Sequence, residues 1–148
     1  MRTPGRLVLT LLAALVTAPA LALDYRSVEA PAAILYDTPS LKGKRLYIVR
    51  QAMPLEVVVR LDGWFKVRDA EGSLAWIESR ALAEKRTVVV TAPRATVRKE
   101  AKDEAAPAFE ADKWVALELV EAGPPGWARV RHRDGASGFV KATMVWGL

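Results

Sequence analysis

The sequence predicts an all-β protein made of two copies of one small fold, preceded by a short leader. Three observations carry this. "GWFKVRDAEGSLAWI" at Gly63 to Ile77 returns as "GWARVRHRDGASGFV" at Gly126 to Val140. In both copies apolar residues alternate with polar ones, the period of a strand with one buried face. Glycines fall between the alternating runs, at Gly72 and Gly135, where tight hairpins need them. A repeat of roughly 60 residues is too long for the common solenoid periods and too short for a large domain.

The leader comes first. Arg2 and Arg6 precede an apolar run from Leu7 to Ala18, and Ala20-Leu21-Ala22 has the small-x-small form of a cleavage site. Residues 1–22 are therefore expected to be a signal peptide and the protein to be exported, to the periplasm or beyond. The run falls short of the about 20 residues that cross a bilayer, so no stable membrane span is expected after cleavage.

The two copies align at an offset of 62, pairing Ala30-Pro31 with Ala92-Pro93 and Leu55-Glu56 with Leu117-Glu118. After the first Gly-Trp the offset becomes 63. The extra residue falls within Gly123-Pro124-Pro125-Gly126, a turn that absorbs it without shifting a strand. The long stretch "YDTPSLKGKRLYIVRQAMP" holds Pro39, Gly43 and Pro54, which argue against a helix, and Tyr47-Ile48-Val49 within it is expected to pair as a strand. Leu55, Val57 and Val59 alternate with Glu56, Val58 and Arg60, so one face of the next strand is expected to be wholly apolar. Phe65 and Val67 continue the pattern, Asp69 to Ser73 turns the chain, and Ala75-Trp76-Ile77 returns with Trp76 expected in the core.

Composition excludes several functions. The net charge of +5 falls by two with the leader, and the remaining charges are interspersed, so no nucleic acid is expected as partner. Without cysteine there is neither a disulfide framework nor a thiol nucleophile. The single histidine, His132, sits at a turn, so no metal site is expected. Asp103-Glu104, Glu110 and Asp112 lie in a polar, Ala-rich stretch and read as solvating groups. Ser79 and Ser137 have no evident base partner. No enzyme activity and no cofactor are expected.

"PLEVVVRLDGWFKVRDAEGSLAWIESRAL" resembles the bacterial SH3 pattern: an apolar strand, Gly-Trp-aromatic-x-Val, a Gly-containing hairpin, then Trp-[Ile/Val] before a short helical turn. The second copy, ending "GASGFVKATMVWGL", is similar to the same module. The resemblance implies two tandem SH3-like β-barrels, over Asp24–Glu84 and Arg86–Leu148. It also implies a recognition role in the cell envelope, with peptidoglycan or an envelope protein as partner. The alternative is a scaffolding protein that takes no small ligand.

"ILYD" at Ile34 to Asp37 is similar to the opening of eukaryotic SH3 domains, in which a tyrosine and a tryptophan line a polyproline groove. That resemblance makes Tyr36 and Trp64 the candidate ligand-binding pair. The basic residues Lys42, Lys44 and Arg45, in the adjoining loop, are candidate contacts for carboxylates or phosphates. Glu78 and Ala81 stand where that family has its proline and second tyrosine, so a PxxP ligand is not expected. Arg98 replaces the tyrosine in the second copy and leaves Trp127 alone. Exposure of Tyr36 and Trp64 side by side favours a ligand; burial of both favours a scaffold. Trp114 and Trp146 have Ala52 and Ala83 as counterparts and are expected to pack between the copies.

Overall fold

The computed structural model describes residues 22–148, so the expected signal peptide lies outside the described residues apart from Ala22. The first half contains β1 (Tyr25–Val28), β2 (Ala32–Tyr36), β3 (Arg45–Arg50), β4 (Pro54–Leu61), β5 (Trp64–Arg68), β6 (Leu74–Glu78), a 3-10 turn (Ser79–Ala81) and β7 (Leu82–Ala83). The second repeats the series as β8 (Thr87–Val90), β9 (Arg94–Arg98), β10 (Pro107–Asp112), β11 (Ala116–Ala122), β12 (Trp127–Arg131), β13 (Ser137–Lys141), a 3-10 turn (Ala142–Met144) and β14 (Val145–Trp146).

Each half is one seven-stranded antiparallel sheet, in the order β3-β2-β6-β5-β4-β1-β7 and β10-β9-β13-β12-β11-β8-β14. The outermost strands are not hydrogen-bonded to each other, so each sheet is open where a closed barrel was expected. Strands β1 and β7 extend the order beyond β4, and their counterparts do the same beyond β11. These segments are short, and β1 carries Arg26 and Ser27, so the apolar pattern marks them poorly.

Each sheet wraps its own core. Val28, Ala33, Leu35, Leu55, Val67, Ala75 and Ile77 form the first. Val88, Val90, Ala95, Val97, Ala111, Leu117, Ala128, Val130, Val140 and Val145 form the second.

The apolar face expected on β4 does not hold beyond Val57. Register with β5 shifts between Val57 and Val59, making Val58 the extra residue of a β-bulge, and Val58, Val59 and Leu61 are exposed. The second half places the same irregularity between Leu119 and Glu121. The duplicated fold thus keeps its bulge, which switches the faces of the strand beyond it.

Hairpins form where the glycines predict them. Asp69 Oδ1 accepts hydrogen bonds from the backbone N–H of Glu71 and Ser73 (both 2.9 Å), and Gly72 takes φ +88. In the second half Asp134 Oδ1 accepts from Ala136 N–H at 2.9 Å, and Gly135 takes φ +95. His132, read as a plain turn residue, is half-buried: Nδ1 lies 3.0 Å from Asp134 Oδ2 and the ring centroid 6.0 Å from that of Phe109.

The halves are joined by the short segment 84–86 and meet at an aromatic seam. Tyr25 packs edge-to-face on Trp146, and the Arg86 guanidinium lies 5.3 Å from the Tyr25 ring centroid. Arg86 Nη2 donates to the Gly147 carbonyl at 2.8 Å. Gly147, at φ +112, lies close to Pro54: a Cβ there would sit 3.2 Å from the Pro54 Cβ. Trp114, expected between the copies, lines a cleft of ≈ 270 Å³ together with Tyr47, Val49 and Met53 of the first half. Trp114 and its counterpart Ala52 share positive φ (71 and 68), and each N–H donates at 2.8 Å, to Val90 and Val28 respectively.

Candidate functional site on the outer face of the first half

Ala75, Ile77, Leu35 and Val67 point into the core, so strand alternation sends Trp76, Tyr36, Lys66 and Trp64 to the opposite face of the sheet. Register places these residues beside one another. Tyr36 is paired with Arg45 on one side and Trp76 on the other, and Trp76 is paired with Lys66. A row thus runs across four strands as Arg45, Tyr36, Trp76 and Lys66. Trp64 sits against it, its ring centroid 5.5 Å from that of Tyr36 at 83°. The Lys66 ammonium lies 5.9 Å from the Trp76 ring centroid, within the range of a cation–π contact.

Trp76 therefore does not pack in the core as expected. The small Ala75 and the branched Ile77 take the core positions on either side, and the period of two leaves the larger ring outside. The alternation Ala75-Trp76-Ile77 opposes Trp76 to its two neighbours, and their burial settles which face is the core.

Tyr36 and Trp64 touch, but only one is accessible. Tyr36 is 4% exposed, whereas Trp64 is half-buried. A cleft of ≈ 390 Å³ opens beside Tyr36, lined by Ala32, Ile34, Ile77, Glu78, Arg80 and Ala81 among others. Arg80 and Glu78 pair with each other there at 2.9 Å. Trp64 and the three basic candidates are not part of that wall.

Arg45 joins the aromatic row through its pairing with Tyr36, while Lys42 and Lys44 occupy the turn between β2 and β3. That turn is tightly closed. Asp37 N–H donates to the Lys44 carbonyl at 3.1 Å, Lys44 N–H donates to Asp37 Oδ1 at 2.8 Å, and Lys42 N–H donates to Ser40 Oγ at 3.1 Å. Gly43 is required here: a Cβ would collide with Thr38 Oγ1 and lie 3.0 Å from the Ser40 carbonyl oxygen. The ion pairs of the first half engage Arg26, Arg60, Arg68 and Arg80. Among the described residues, Lys42, Lys44 and Arg45 take part in none, so their charges face solvent uncompensated.

The second half builds the same row with different chemistry. Pro107, Arg98, Phe139 and Arg129 are paired in sequence across its sheet. Lys141 lies 5.8 Å from the Trp127 ring centroid and forms an ion pair with Asp103 of the β9–β10 loop at 2.6 Å. Arg98 Nη1 donates to the Ala105 carbonyl of the same loop at 2.8 Å. Lys141 and Arg98 are thus held by the loop between β9 and β10, and Arg129 by Glu121 of β11 at 3.1 Å.

Burial, reinforced by Asp69, pushes the Tyr47 hydroxyl up to about 12. That hydroxyl donates to Asp69 Oδ2 at 3.1 Å and ties β3 to the β5–β6 hairpin.

The folded unit, a small open antiparallel sheet with a 3-10 turn before its last strand, defines an SH3-like module in two copies. The sequence matches the bacterial SH3 domain family twice, over residues 29–84 and 91–147, and the chain belongs to that family. Among curated proteins none matches the sequence. Among solved structures it is similar to NlpC2 from Trichomonas vaginalis, with TM-score 0.39 and 15% identity over 86% of this chain and 49% of that one. It is similar to NlpC1 from Trichomonas vaginalis, with TM-score 0.39 and 13% identity over 87% and 47%. It is also similar to an NlpC/P60 family protein from Bacillus cereus ATCC 10987, with TM-score 0.39 and 15% identity over 82% and 55%. The chain spans about half the length of these proteins.

Proposed function

We propose that the chain is a non-catalytic recognition module of the bacterial cell envelope that binds carboxylate-bearing peptides of peptidoglycan on the outer face of its first half. The observation that carries this reading is the pair of partly exposed rings Trp64 and Trp76 set around the buried Tyr36, flanked by Arg45 and Lys66 and by the uncompensated Lys42 and Lys44. Rings offer contact area at low rotamer cost, and unpaired cations complement carboxylates without first breaking an internal ion pair. Membership of the bacterial SH3 family favours a binding role, and export through the expected leader would bring the module to the wall.

The burial of Tyr36 favours a second reading, a structural component of an envelope complex that takes no small ligand. Co-sedimentation of the purified protein with peptidoglycan sacculi separates the two. Binding that is lost when Trp64 is replaced, in a protein that stays folded, supports the ligand reading. Absence of binding by the unaltered protein rejects it in favour of the scaffold.

A further inference from the structure

Strand β3 stands at the edge of its sheet and is hydrogen-bonded on one side only, to β2. No further backbone hydrogen bond engages Arg45 to Val49 among the described residues. Ile48 is 67% exposed, Leu46 41%, and Leu41 of the preceding turn 61%, the most apolar surface on any edge of the two sheets. Such an edge is a template for another strand, and proteins ordinarily blunt it. The equivalent edge in the second half is blunted: β10 begins at Pro107, exposes no large apolar side chain, and carries Glu110 and Asp112, which both pair with Arg94.

Charge decides what fits β3. Lys42, Lys44 and Arg45 lie at one end and Arg50 at the other, and Arg50 likewise forms no ion pair among the described residues. A second copy of the chain would bring these cations against their equals, so they oppose self-pairing while they attract acid. Pairing with β2 skips Leu46, so β3 bulges there, and its regular part from Tyr47 to Arg50 spans roughly 10 Å, room for about four residues of a partner. On the core side, Tyr47 and Val49 of β3 border the ≈ 270 Å³ cleft, whose wall is apolar at Met53, Pro54, Leu55 and Trp114 and acidic at Asp69 and Glu71, so apolar side chains fit it and the partner's carboxylates belong at the strand ends.

We propose that β3 receives an extended segment of a partner protein as an added strand: about four apolar or β-branched residues with acidic residues at both ends. Its backbone pairs with the free edge, alternate side chains enter the cleft beside Tyr47 and Val49, and its terminal carboxylates meet Lys44 and Arg45 at one end and Arg50 at the other. This strand edge shares Lys44 and Arg45 with the outer-face site but uses none of its rings, so it does not depend on Trp64.

The test uses the acetylated peptide Asp-Glu-Val-Thr-Val-Thr-Glu-Asp, its analogue N-methylated at alternate residues, and a version with lysine at the acidic positions. The acidic peptide should bind and slow amide hydrogen exchange in β3. The N-methylated and lysine versions should bind at least about tenfold more weakly, as lost strand pairing and charge reversal require. Ile48→Lys and Arg50→Glu, both at solvent-facing positions, should each weaken binding of the acidic peptide, whereas Trp64→Ala should leave it intact. Equal binding of the N-methylated peptide, unchanged exchange in β3, or no binding would overturn the proposal. Concentration-dependent dimerisation that protects β3 without peptide would assign the edge to a second copy. Binding to phosphatidylglycerol vesicles in place of the peptide would assign it to a lipid surface. Either result would also overturn it. Sacculus binding lost in Trp64→Ala but kept in Ile48→Lys would leave the two surfaces independent.

Discussion

Trp146, in the last strand of the second half, meets Tyr25, in the first strand of the first, edge-to-face with ring centroids 5.1 Å apart and planes at 85°. With the Arg86 guanidinium beside the same tyrosine and bonded to the Gly147 carbonyl, the contact is expected to make the halves unfold as one unit. Small sheets without disulfides have little stability to spare. Trp146→Ala should destabilise the protein by about 2 kcal/mol or more, from lost burial and the lost aromatic pair. Calorimetry should show one transition in the parent and two in the variant; two in the parent would refute the coupling.

Binding on the outer face should be asymmetric. Trp64→Ala is expected to weaken sacculus binding by about 2 kcal/mol or more, and Trp76→Ala by about 1 kcal/mol, as for central and flanking aromatic contacts. Trp127→Ala should matter much less, because Lys141 beside that ring is already paired with Asp103. Urea midpoints of all three variants must be compared, since each ring also packs on its sheet.

Acid should weaken the second half through Glu118. The hydrogen bond from Arg131 holds its carboxyl below the ordinary value of 4.5; partial burial opposes this and Lys85 reinforces it. A carboxylate whose folded pKa is depressed contributes stability that is fully present above its unfolded value and is lost as pH falls through the folded one. Urea midpoints should therefore fall below pH 4.5, and Glu118→Gln should flatten that fall while lowering stability at neutral pH. An unchanged acid slope in the variant would contradict the assignment.

Gly138→Ala should be destabilising although its counterpart in the first half is already alanine, Ala75. A Cβ at Gly138 would press on the Arg98 carbonyl oxygen and come within 3.0 Å of Val97 Cγ1. Overpacking of this kind costs about 1–3 kcal/mol. A urea midpoint equal to that of the parent would show that β9 and β13 can separate without penalty.

The sequence alone determined the duplication, the all-β class, most of the strands and both Gly-centred hairpins, because these follow from neighbours along the chain: alternation of period two, and backbone angles that glycine adopts most readily. Recognition of the bacterial SH3 pattern came from the same local order. The separate likeness of "ILYD" to the opening of eukaryotic SH3 domains made Tyr36 and Trp64 a pair, and their rings do touch.

What only the tertiary structure decided depends on contacts between distant segments. Alternation identifies two faces of a strand without saying which is the core, so ring size alone points Trp76 inward, and only the packing of Ala75 and Ile77 in the interior turns it out. One extra residue at Val58 reverses the faces of the strand beyond it, and no property of three consecutive valines marks which of them bulges. The strands Tyr25–Val28 and Leu82–Ala83 exist because β4 offers β1 an edge to pair with and β1 in turn offers one to β7; alone they carry too little apolar pattern to be read. The burial of Tyr36, the self-held cations of the second half and the Tyr25–Trp146 seam arise in the same way, from side chains separated in sequence whose energies exist only once the sheets have placed them together.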